Sequence, residues 1–399
     1  MEDRIQTKVE VNEDDKLHTK AQVISPDDGY NYFFGYYDLQ PFDKMSKLHL
    51  THRVSFCDRL QTPDDTVEIG YITIEDKIFH KVAESRAWNF QQGSMLQWYD
   101  DESILFNDYR NGQYVSVVKN IYKNEEKIIC KPIATFSRAK KIGLSINFSR
   151  IFDFRPGYGY CNIKDEFFDV NAPENDGIFL VDLEKNISKL ILSYKQLKEL
   201  FPEKPFCDMK LVVNHITFNP SGNRFLFLLR NYSQEGDKSW GTMLITSDID
   251  GKNVKNHSKY EVNSHYHWKN DYEFIIYSGL PRWGIYFFND KTNERSMLDD
   301  DLCNYRDIHC IYSPDRKFFI ADGYPDEDDN RQILLYDFNK KKSYEVLSIY
   351  SQPVTCGDIR CDLHNRFNVD GSLVSFDSFH QKTRSICMFS FNEVKKKLN

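Results

Sequence analysis

The sequence predicts an all-β protein, a seven-bladed β-propeller. Seven stretches share one pattern: a short alternating run, an aromatic residue, a turn rich in Asn, Asp, Pro or Gly, and a second apolar run. Their recurrence at intervals of roughly 40 to 50 residues is typical of propeller blades. Helical patterns are scarce, and residues 193–201, "SYKQLKELF", are the one convincing helical insertion. A pair of β-sandwiches is the alternative fold, and the regular spacing disfavours it.

The seven hairpins differ in how clearly they show this pattern. The first three copies are weaker: "YYDLQPFDKMSKLHLTH", "GSMLQWYDDESILFND" and "ATFSRAKKIGLSINFS". The last four are clear: "NHITFNPSGNRFLFLLRN", "SHYHWKNDYEFIIYSG", "HCIYSPDRKFFIADGY" and "DLHNRFNVDGSLVSFDS". Further strands such as "GTMLITSDIDG" and "QILLYDF" follow them, so each unit provides about four strands.

The last unit is one strand short, and this predicts how the ring closes. After Phe367 only two further strands follow, at residues 373–379 and 385–391. The segment "TKAQVIS" at residues 19–25 has strand character and supplies the missing outer strand. We therefore expect one propeller domain over residues 18–392, a flexible segment at 1–17 and a basic tail at 393–399.

Charge and composition exclude several classes of partner. The formal net charge is −8, and Lys and Arg form no coherent face, which argues against nucleic acid as a partner. The charged N-terminus has no apolar signal-peptide core, and no stretch is long and apolar enough to span a membrane. Nine cysteines are scattered without a C-x-x-C pair, as expected for free thiols in a reducing compartment. We expect a cytoplasmic protein, and a monomer because a closed ring leaves no edge strand to pair.

Four histidines occupy one position of the repeat. They stand three residues before the aromatic that ends the first strand, in four successive units: His215, His265, His309 and His364. Residues i and i+2 of a strand face the same side, so His267 and Arg366 join this set. The first strand of a blade is innermost, and the set is therefore predicted to converge on one mouth of the central channel.

Other polar residues are predicted to line the same mouth. Asp38 of "GYYD" and Gln92 of "NFQQGSM" come from the first two units. Arg155 and Tyr158 lie in "RPGYGY", a glycine-rich loop that does not match a phosphate-binding pattern and suits either sugar stacking or rim packing.

Two interpretations of the histidines remain open. Imidazoles from several strands can converge on one metal ion, here Mn, Zn or Ca, with His215, His265, His309 and His364 as ligands. A histidine at a blade start can also simply bond the backbone of a neighbouring blade. No local spacing such as H-E-x-x-H decides between them.

Several stretches resemble a bacterial family of seven-bladed propellers related to oligogalacturonate lyase and to propeller-type ulvan and glucuronate lyases. They are "FFGYYDLQPF", "AWNFQQGSMLQW", "FRPGYGY", "VNHITFNPSG", "SHYHW" and "IRCDLHNRFNVDG", and the resemblance covers residues from about 30 to 392. It implies a divalent metal held by histidines and a glutamine at the axial mouth, with an arginine as base. The matching candidates are His215, His265, His309, His364 and Arg366, although "RCDLHNR" offers one histidine where the lyase has a closely spaced Gln/His/His run.

The predicted function is β-elimination on a uronic-acid-containing oligosaccharide. Such a reaction needs a cation beside the substrate carboxylate, a base and an acid for the leaving oxygen. The hypothesis assigns the cation to Arg366 or a metal, the base to His215 or His265, and the acid to Tyr37 or another channel tyrosine. Asp38, Gln92, Arg155, Tyr158 and His267 are the predicted substrate contacts. A hydrolase with paired carboxylates and a non-catalytic glycan- or protein-binding propeller are the alternatives.

Overall fold

The computed structural model confirms the seven-bladed propeller. It describes residues 11–203, 208–232, 240–258, 262–279, 281–300, 308–353 and 357–398. Seven four-stranded antiparallel sheets form a ring, each with its strands in meander order. Among the described residues, no helix has the length and apolar character needed to cross a bilayer.

Blades 1 to 3 are built from consecutive strands. Blade 1 contains β2 (Asn31–Phe33), β3 (Leu48–Val54), β4 (Val67–Thr73) and β5 (Ile78–Ser85). Blade 2 contains β6 (Gln97–Trp98), β7 (Ser103–Arg110), β8 (Gln113–Asn120) and β9 (Glu126–Ile129). Blade 3 contains β10 (Thr135–Ser137), β11 (Ile142–Ser145), β12 (Gly177–Asp182) and β13 (Ile187–Ser193).

Blades 4 to 6 follow the same order. Blade 4 contains β14 (Lys210–Phe218), β15 (Arg224–Tyr232), β16 (Trp240–Asp248) and β17 (Lys255–Asn256). Blade 5 contains β18 (Asn263–Trp268), β19 (Glu273–Ser278), β20 (Gly284–Asn289) and β21 (Arg295–Met297). Blade 6 contains β22 (His309–Tyr312), β23 (Phe318–Asp322), β24 (Asn330–Asp337) and β25 (Lys342–Tyr350).

Blade 7 closes the ring as the sequence predicts. It contains β26 (Arg366–Phe367), β27 (Leu373–Ser378) and β28 (Ser385–Ser390), and its outer strand is β1 (Gln22–Val23) from the N-terminal side. Gln22 pairs with Met388 and Val23 with Cys387 in antiparallel register. The first and last parts of the chain are thus held in one sheet.

Three short α-helices lie in the described part of the chain. The predicted insertion forms α2 (Tyr194–Leu200), where Ser193 and Gln196 make a reciprocal capping box. Helix α1 (Phe148–Phe154) begins where the sequence pattern suggested the end of a strand, because Asn147 caps it by accepting from the backbone of Arg150.

The two ends of the chain carry more structure than the sequence pattern suggests. The basic segment 393–399 lies mostly within α3 (Phe391–Leu398), which buries Phe391, Val394 and Leu398. Of the predicted flexible segment 1–17, residues 1–10 lie outside the described residues. Leu17 is buried, and its backbone N–H donates to Glu345 O at 2.7 Å.

The hydrophobic core lies between adjacent blades. Leu50 and Ile69 of blade 1 pack with Ile104 and Phe106 of blade 2, for example, in one cluster of fully buried side chains. Because each sheet buries both faces against its neighbours, the polar residues of the innermost strands are left to face the axis. The six cysteines in the described part of the chain are free thiols.

Candidate functional site

Blade 1 sends a loop into the central channel. Phe33 lies opposite His52, and the next pairing of this edge joins Phe42 to His49, so the chain between them leaves the sheet. We call residues 35–40 the axial segment. Gly35 has a φ of +130°, and a Cβ there would lie 2.8 Å from the backbone oxygen of Gln92, so only glycine fits.

The axial segment places a tyrosine among the four predicted histidines. The Tyr36 ring centroid lies 4.9 Å from His215, 6.3 Å from His265, 6.1 Å from His309 and 5.1 Å from His364. The histidines themselves are only 2% to 6% exposed. The structure therefore brings together the four in-register histidines, in a buried cluster around Tyr36.

Irregular backbone aims these histidines at the axis. His215 and His364 both adopt left-handed φ values, +47° and +46°. The β14–β15 pairing shifts register at His215, and the β18–β19 pairing shifts between Asn263 and Tyr266. Bulges and left-handed non-glycine residues are strained and concentrate at functional sites, where they redirect a side chain.

His309 and His364 form the centre of a candidate metal site. Their Nε2 atoms are 3.3 Å apart. Each ring is oriented through its other nitrogen: His309 Nδ1 bonds Asp322 Oδ1 at 2.8 Å, and His364 Nδ1 donates to Gly35 O at 2.9 Å. An imidazole that donates through Nδ1 presents a lone pair at Nε2, so the two Nε2 atoms at this distance share either a proton or a metal ion.

The separation of these nitrogens fits a shared metal ion. Two nitrogen ligands about 2.1 Å from one ion at a tetrahedral angle are about 3.4 Å apart. Asp362 completes the group, since ligand atoms of His309, Asp362 and His364 all lie within 4.8 Å of one another. Burial and the neighbouring His309 hold the pKa of His364 well below its usual value, so this ring is neutral and able to bind a metal.

Two arginines surround Asp362. Arg360 Nε lies 2.7 Å from Asp362 Oδ2 and Arg331 Nη1 lies 3.1 Å from Oδ1. Burial acts to raise the pKa of Asp362, but the charges of Arg360 and Arg331 outweigh it and hold that pKa well below the usual range. Arg360 also donates from Nη2 to the Tyr158 hydroxyl at 2.8 Å.

His215 belongs to a different pair. Its Nε2 lies 3.0 Å from Asp38 Oδ2, and its Nδ1 is buried without a hydrogen-bond partner among the described residues. Burial lowers the pKa of His215, while Asp38 acts in the opposite direction. A carboxylate that holds Nε2–H leaves Nδ1 as a base, the arrangement of a catalytic Asp–His dyad. His215 is not among the ligand atoms that converge with His309, Asp362 and His364, so it is a base candidate and not a ligand of that candidate site.

The catalytic roles predicted for Arg366 and Tyr37 do not fit their surroundings. Arg366 is 1% exposed and its guanidinium is used by Asp377, at 3.0 Å, and by the backbone oxygens of Gly35 and Tyr36. The Tyr37 hydroxyl accepts from the Tyr266 N–H at 2.9 Å and donates to Tyr266 O at 2.8 Å. Both side chains anchor the axial segment to the blades.

The remaining predicted residues differ in how close they lie to the cluster. The His265 and His309 ring centroids are 3.7 Å apart, and Gln92 lines a small cavity of about 10 Å³ with Tyr36, Asp38 and His215. The Arg155 guanidinium lies 4.5 Å from the Tyr158 ring centroid. His267 lies apart from the cluster, on a larger cavity at the C-terminal ends of the innermost strands.

Part of the site lies outside the repeat position of the histidines. Asp362, Arg360, Arg331 and Tyr36 are not at the histidine position of the repeat. The spacing of Asp362 and His364, two residues apart in "RCDLH", was the available signal, because such residues lie on one side of an extended chain.

Comparisons with known proteins agree with the fold. No protein-family model matches the chain, and no curated protein matches its sequence. The oligogalacturonate lyase of Vibrio parahaemolyticus has a similar structure, with a TM-score of 0.62 and 13% identity over 93% of each chain. An oligogalacturonate lyase in complex with manganese gives a TM-score of 0.63 and 14% identity over 93% of this chain and 92% of that one.

The tricorn protease is also similar, with a TM-score of 0.53 and 11% identity, over 93% of this chain and 35% of its own.

Fold and axial cluster together define the class of protein as a seven-bladed propeller with a polar centre. More particularly, it is similar in fold to oligogalacturonate lyase; at these identities the likeness establishes the fold and not the activity.

Proposed function

We propose that this protein is a metal-dependent lyase-like enzyme that carries out β-elimination on a small uronate-containing oligosaccharide. The observation that carries the proposal is the pair of facing Nε2 atoms of His309 and His364, 3.3 Å apart. The Nδ1 atom of each ring is held by a hydrogen-bond acceptor, and the Asp362 carboxylate is the third metal ligand. The manganese complex of the lyase with a similar fold supports the same chemistry.

His309, His364 and Asp362 would hold the divalent ion. Two imidazoles and a carboxylate suit Zn or Mn better than Ca, which prefers an all-oxygen site. When bound, the ion supplies a Lewis acid that neutralises the uronate carboxylate and so acidifies the adjacent C–H. The paired arginines around Asp362 keep it ionised for this role.

His215 is the proposed base. Asp38 holds its Nε2, and the unpartnered Nδ1 is free to accept the proton of the acidified carbon. The carboxylate of Asp38 then stabilises the imidazolium that forms.

Tyr158 is the proposed acid, in place of Tyr37. Its hydroxyl oxygen accepts from Arg360 at 2.8 Å, which leaves the phenol proton to be donated to the leaving oxygen. The Tyr158 ring lies 6.4 Å from that of Tyr36, next to the histidine cluster.

The loop that carries Tyr158 packs against the segment that precedes Arg360 and Asp362. A Cβ at Gly157 would lie 2.5 Å from the backbone oxygen of Asp358, so residues 156–158 pack closely against residues 357–359. This packing supports the position of the Tyr158 hydroxyl beside Arg360.

An ultraviolet elimination assay tests the proposal. Metal-free protein, alone or reloaded with Mn²⁺ or Zn²⁺, is mixed with a panel of uronate oligosaccharides, and the absorbance of the unsaturated product is followed. We expect metal-dependent product from at least one substrate and about 100-fold less from His215→Gln. His80→Gln, on outer strand β5, is the matched control and keeps full activity. Equal turnover by His215→Gln would refute the role of the base.

A non-catalytic binding propeller is the second candidate. The burial of all four histidines and the small size of the adjoining cavity, about 10 Å³, favour it. Tight metal binding with no product from any uronate in the panel would support this candidate over the lyase.

A further inference from the structure

A second, larger cavity shares Asp38 with the small cavity beside His215. It has a volume of about 850 Å³ and is lined by residues of all seven blades at the C-terminal ends of the innermost strands. Pockets of this size bind small molecules of one or two rings. Its walls combine the aromatic rings of Trp98, Phe136 and Trp268 with many polar side chains.

Arg316, on this cavity, makes no ion pair among the described residues, although the carboxylates of Asp38, Asp43, Asp100 and Asp101 line the same cavity. Arg316 is partly buried, and in the described part of the chain its guanidinium makes no hydrogen bond either. Its guanidinium carbon lies 5.7 Å from the centroid of the Tyr312 ring. By contrast, Arg138, on the same cavity, is paired with Asp101. Buried charges in proteins are normally paired, so an unpaired guanidinium facing a cavity indicates an anion-binding position.

Neighbouring groups add hydrogen-bond donors to this wall. The indole Nε1–H of Trp268, a residue 4% exposed, is buried without a partner in the described part of the chain. The backbone N–H of Tyr312 donates to His267 Nδ1 at 3.4 Å, which leaves the other ring nitrogen, Nε2, as a donor in the neutral tautomer. Arg316 itself has a φ of +61°, a strained conformation for a non-glycine residue.

We propose that this cavity is a second ligand site, which binds the anionic group of a small sugar at Arg316. A carboxylate or a phosphate supplies the acceptor oxygens that Arg316, Trp268 and His267 lack. The aromatic walls pack against the sugar ring, and the polar side chains of the lining bind its hydroxyls. The proposal does not rest on the lyase activity, since it needs neither metal nor turnover.

Binding of three matched sugars tests the proposal. Glucose 6-phosphate, glucuronate and glucose carry a phosphate, a carboxylate and no charge at the same carbon, and each is titrated into the full chain by calorimetry. We expect saturable binding of at least one anionic sugar and much weaker binding of glucose; which anion binds distinguishes phosphate from carboxylate. Arg316→Gln weakens that binding by about tenfold or more. Lys317→Gln, the exposed neighbour in the same turn, changes it less than twofold.

Three results would overturn the proposal: no saturable binding of either anion, equal binding of glucose, or unchanged affinity in Arg316→Gln. A thermal measurement without ligand gives an independent check. An unpaired, partly buried cation that serves ligand binding destabilises the ligand-free protein. Arg316→Met should therefore have the same melting temperature as the wild type or a higher one. A fall of several degrees would mean that the guanidinium is structural, and would also refute the site.

Discussion

Two histidines at the centre of the molecule have backbone conformations that histidine rarely adopts. His215 and His364 have φ values near +47°, and each makes an interaction that depends on this conformation. His215 meets Asp38, and His364 reaches both Gly35 and His309. Left-handed non-glycine residues cost of order 1 kcal/mol or more and persist where the surroundings hold them. Their presence in two blades, on the same cluster, supports a site built for orientation.

Replacing Asp38 with asparagine tests the proposed dyad. An amide cannot stabilise the imidazolium of His215, so Asp38→Asn should lower kcat by about 100-fold or more with little change in KM. The measurement is steady-state turnover in the ultraviolet assay. Asp250→Asn, on an exposed turn between β16 and β17, is the control and keeps wild-type kinetics. Unchanged kcat in Asp38→Asn would remove Asp38 and His215 from the mechanism.

His52 makes the stability of the protein depend on pH. It is fully buried in blade 1, and burial lowers its pKa to about 4 while the backbone contacts of Phe34 and Phe33 act in the opposite direction. Its Nε2 accepts from the Ser94 N–H at 3.1 Å, which a proton on that nitrogen would prevent. The unfolded pKa is about 6.5, so the unfolded state binds more protons between pH 6.5 and 4, and stability is lost as the pH falls through this window.

The substitution His52→Gln isolates this contribution. Glutamine can still accept from Ser94 but does not titrate. The free energy of unfolding is measured with denaturant at pH 7 and at pH 4. Its decrease between the two pH values should be about 2 to 3 kcal/mol smaller in His52→Gln than in the wild type. A parallel pH dependence in His52→Gln and wild type would contradict the assignment.

Single elements decide whether the ring closes. Strand β1 contributes only two paired residues, but the next residue, Ile24, is fully buried and its N–H donates to Ile386 O at 2.9 Å. Ile24 packs with Ile386, Met388 and Phe42, which joins the closing strand to blades 7 and 1.

Truncation of Ile24 measures the strength of this closure. Ile24→Ala removes a fully buried side chain at the seam, and we expect a loss of about 2 to 5 kcal/mol in the free energy of unfolding. Ile187→Ala on β13, where the isoleucine is 58% exposed, is the matched control and should lose less than about 1 kcal/mol. Chemical denaturation compares the two. Similar losses in both variants would show that the closing strand adds little to stability.

The same elements show what sequence reasoning can predict. The repeated hairpins and the missing outer strand predicted the blades and their closure, because alternation and turn residues act locally. Arg366 and His364 do share a side, since both donate to Gly35 O. The catalytic role predicted for Arg366 does not fit because Asp377 and the backbone of the axial segment already occupy its guanidinium.

The axial segment was also missed as an insertion, because "YYDLQPF" was assigned to the first hairpin, whereas the chain leaves the sheet between Phe33 and Phe42. Asp362 lay outside a search restricted to histidines.

The central cluster connects parts of the chain that are far apart in the ring. His309 comes from blade 6, His364 from blade 7 and Gly35 from blade 1, and the three are linked by His364. Tyr37 of blade 1 is hydrogen-bonded to Tyr266 of blade 5 across the axis. The axial segment therefore joins opposite sides of the propeller. We expect a ligand that binds the histidine cluster to stabilise the folded state of the whole ring.

Metal binding should raise the melting temperature of the whole molecule. An ion that binds only the folded state adds RT ln(1 + [M]/Kd), about 2.7 kcal/mol at a hundredfold excess over Kd, which corresponds to a rise of a few degrees. Differential scanning calorimetry of the metal-free protein, with and without Mn²⁺ or Zn²⁺, measures this rise. His364→Asn tolerates the left-handed backbone but removes one ligand, so the rise should disappear, whereas His80→Asn should keep it. An equal rise in all three proteins would place the ion elsewhere and separate the histidine cluster from metal chemistry.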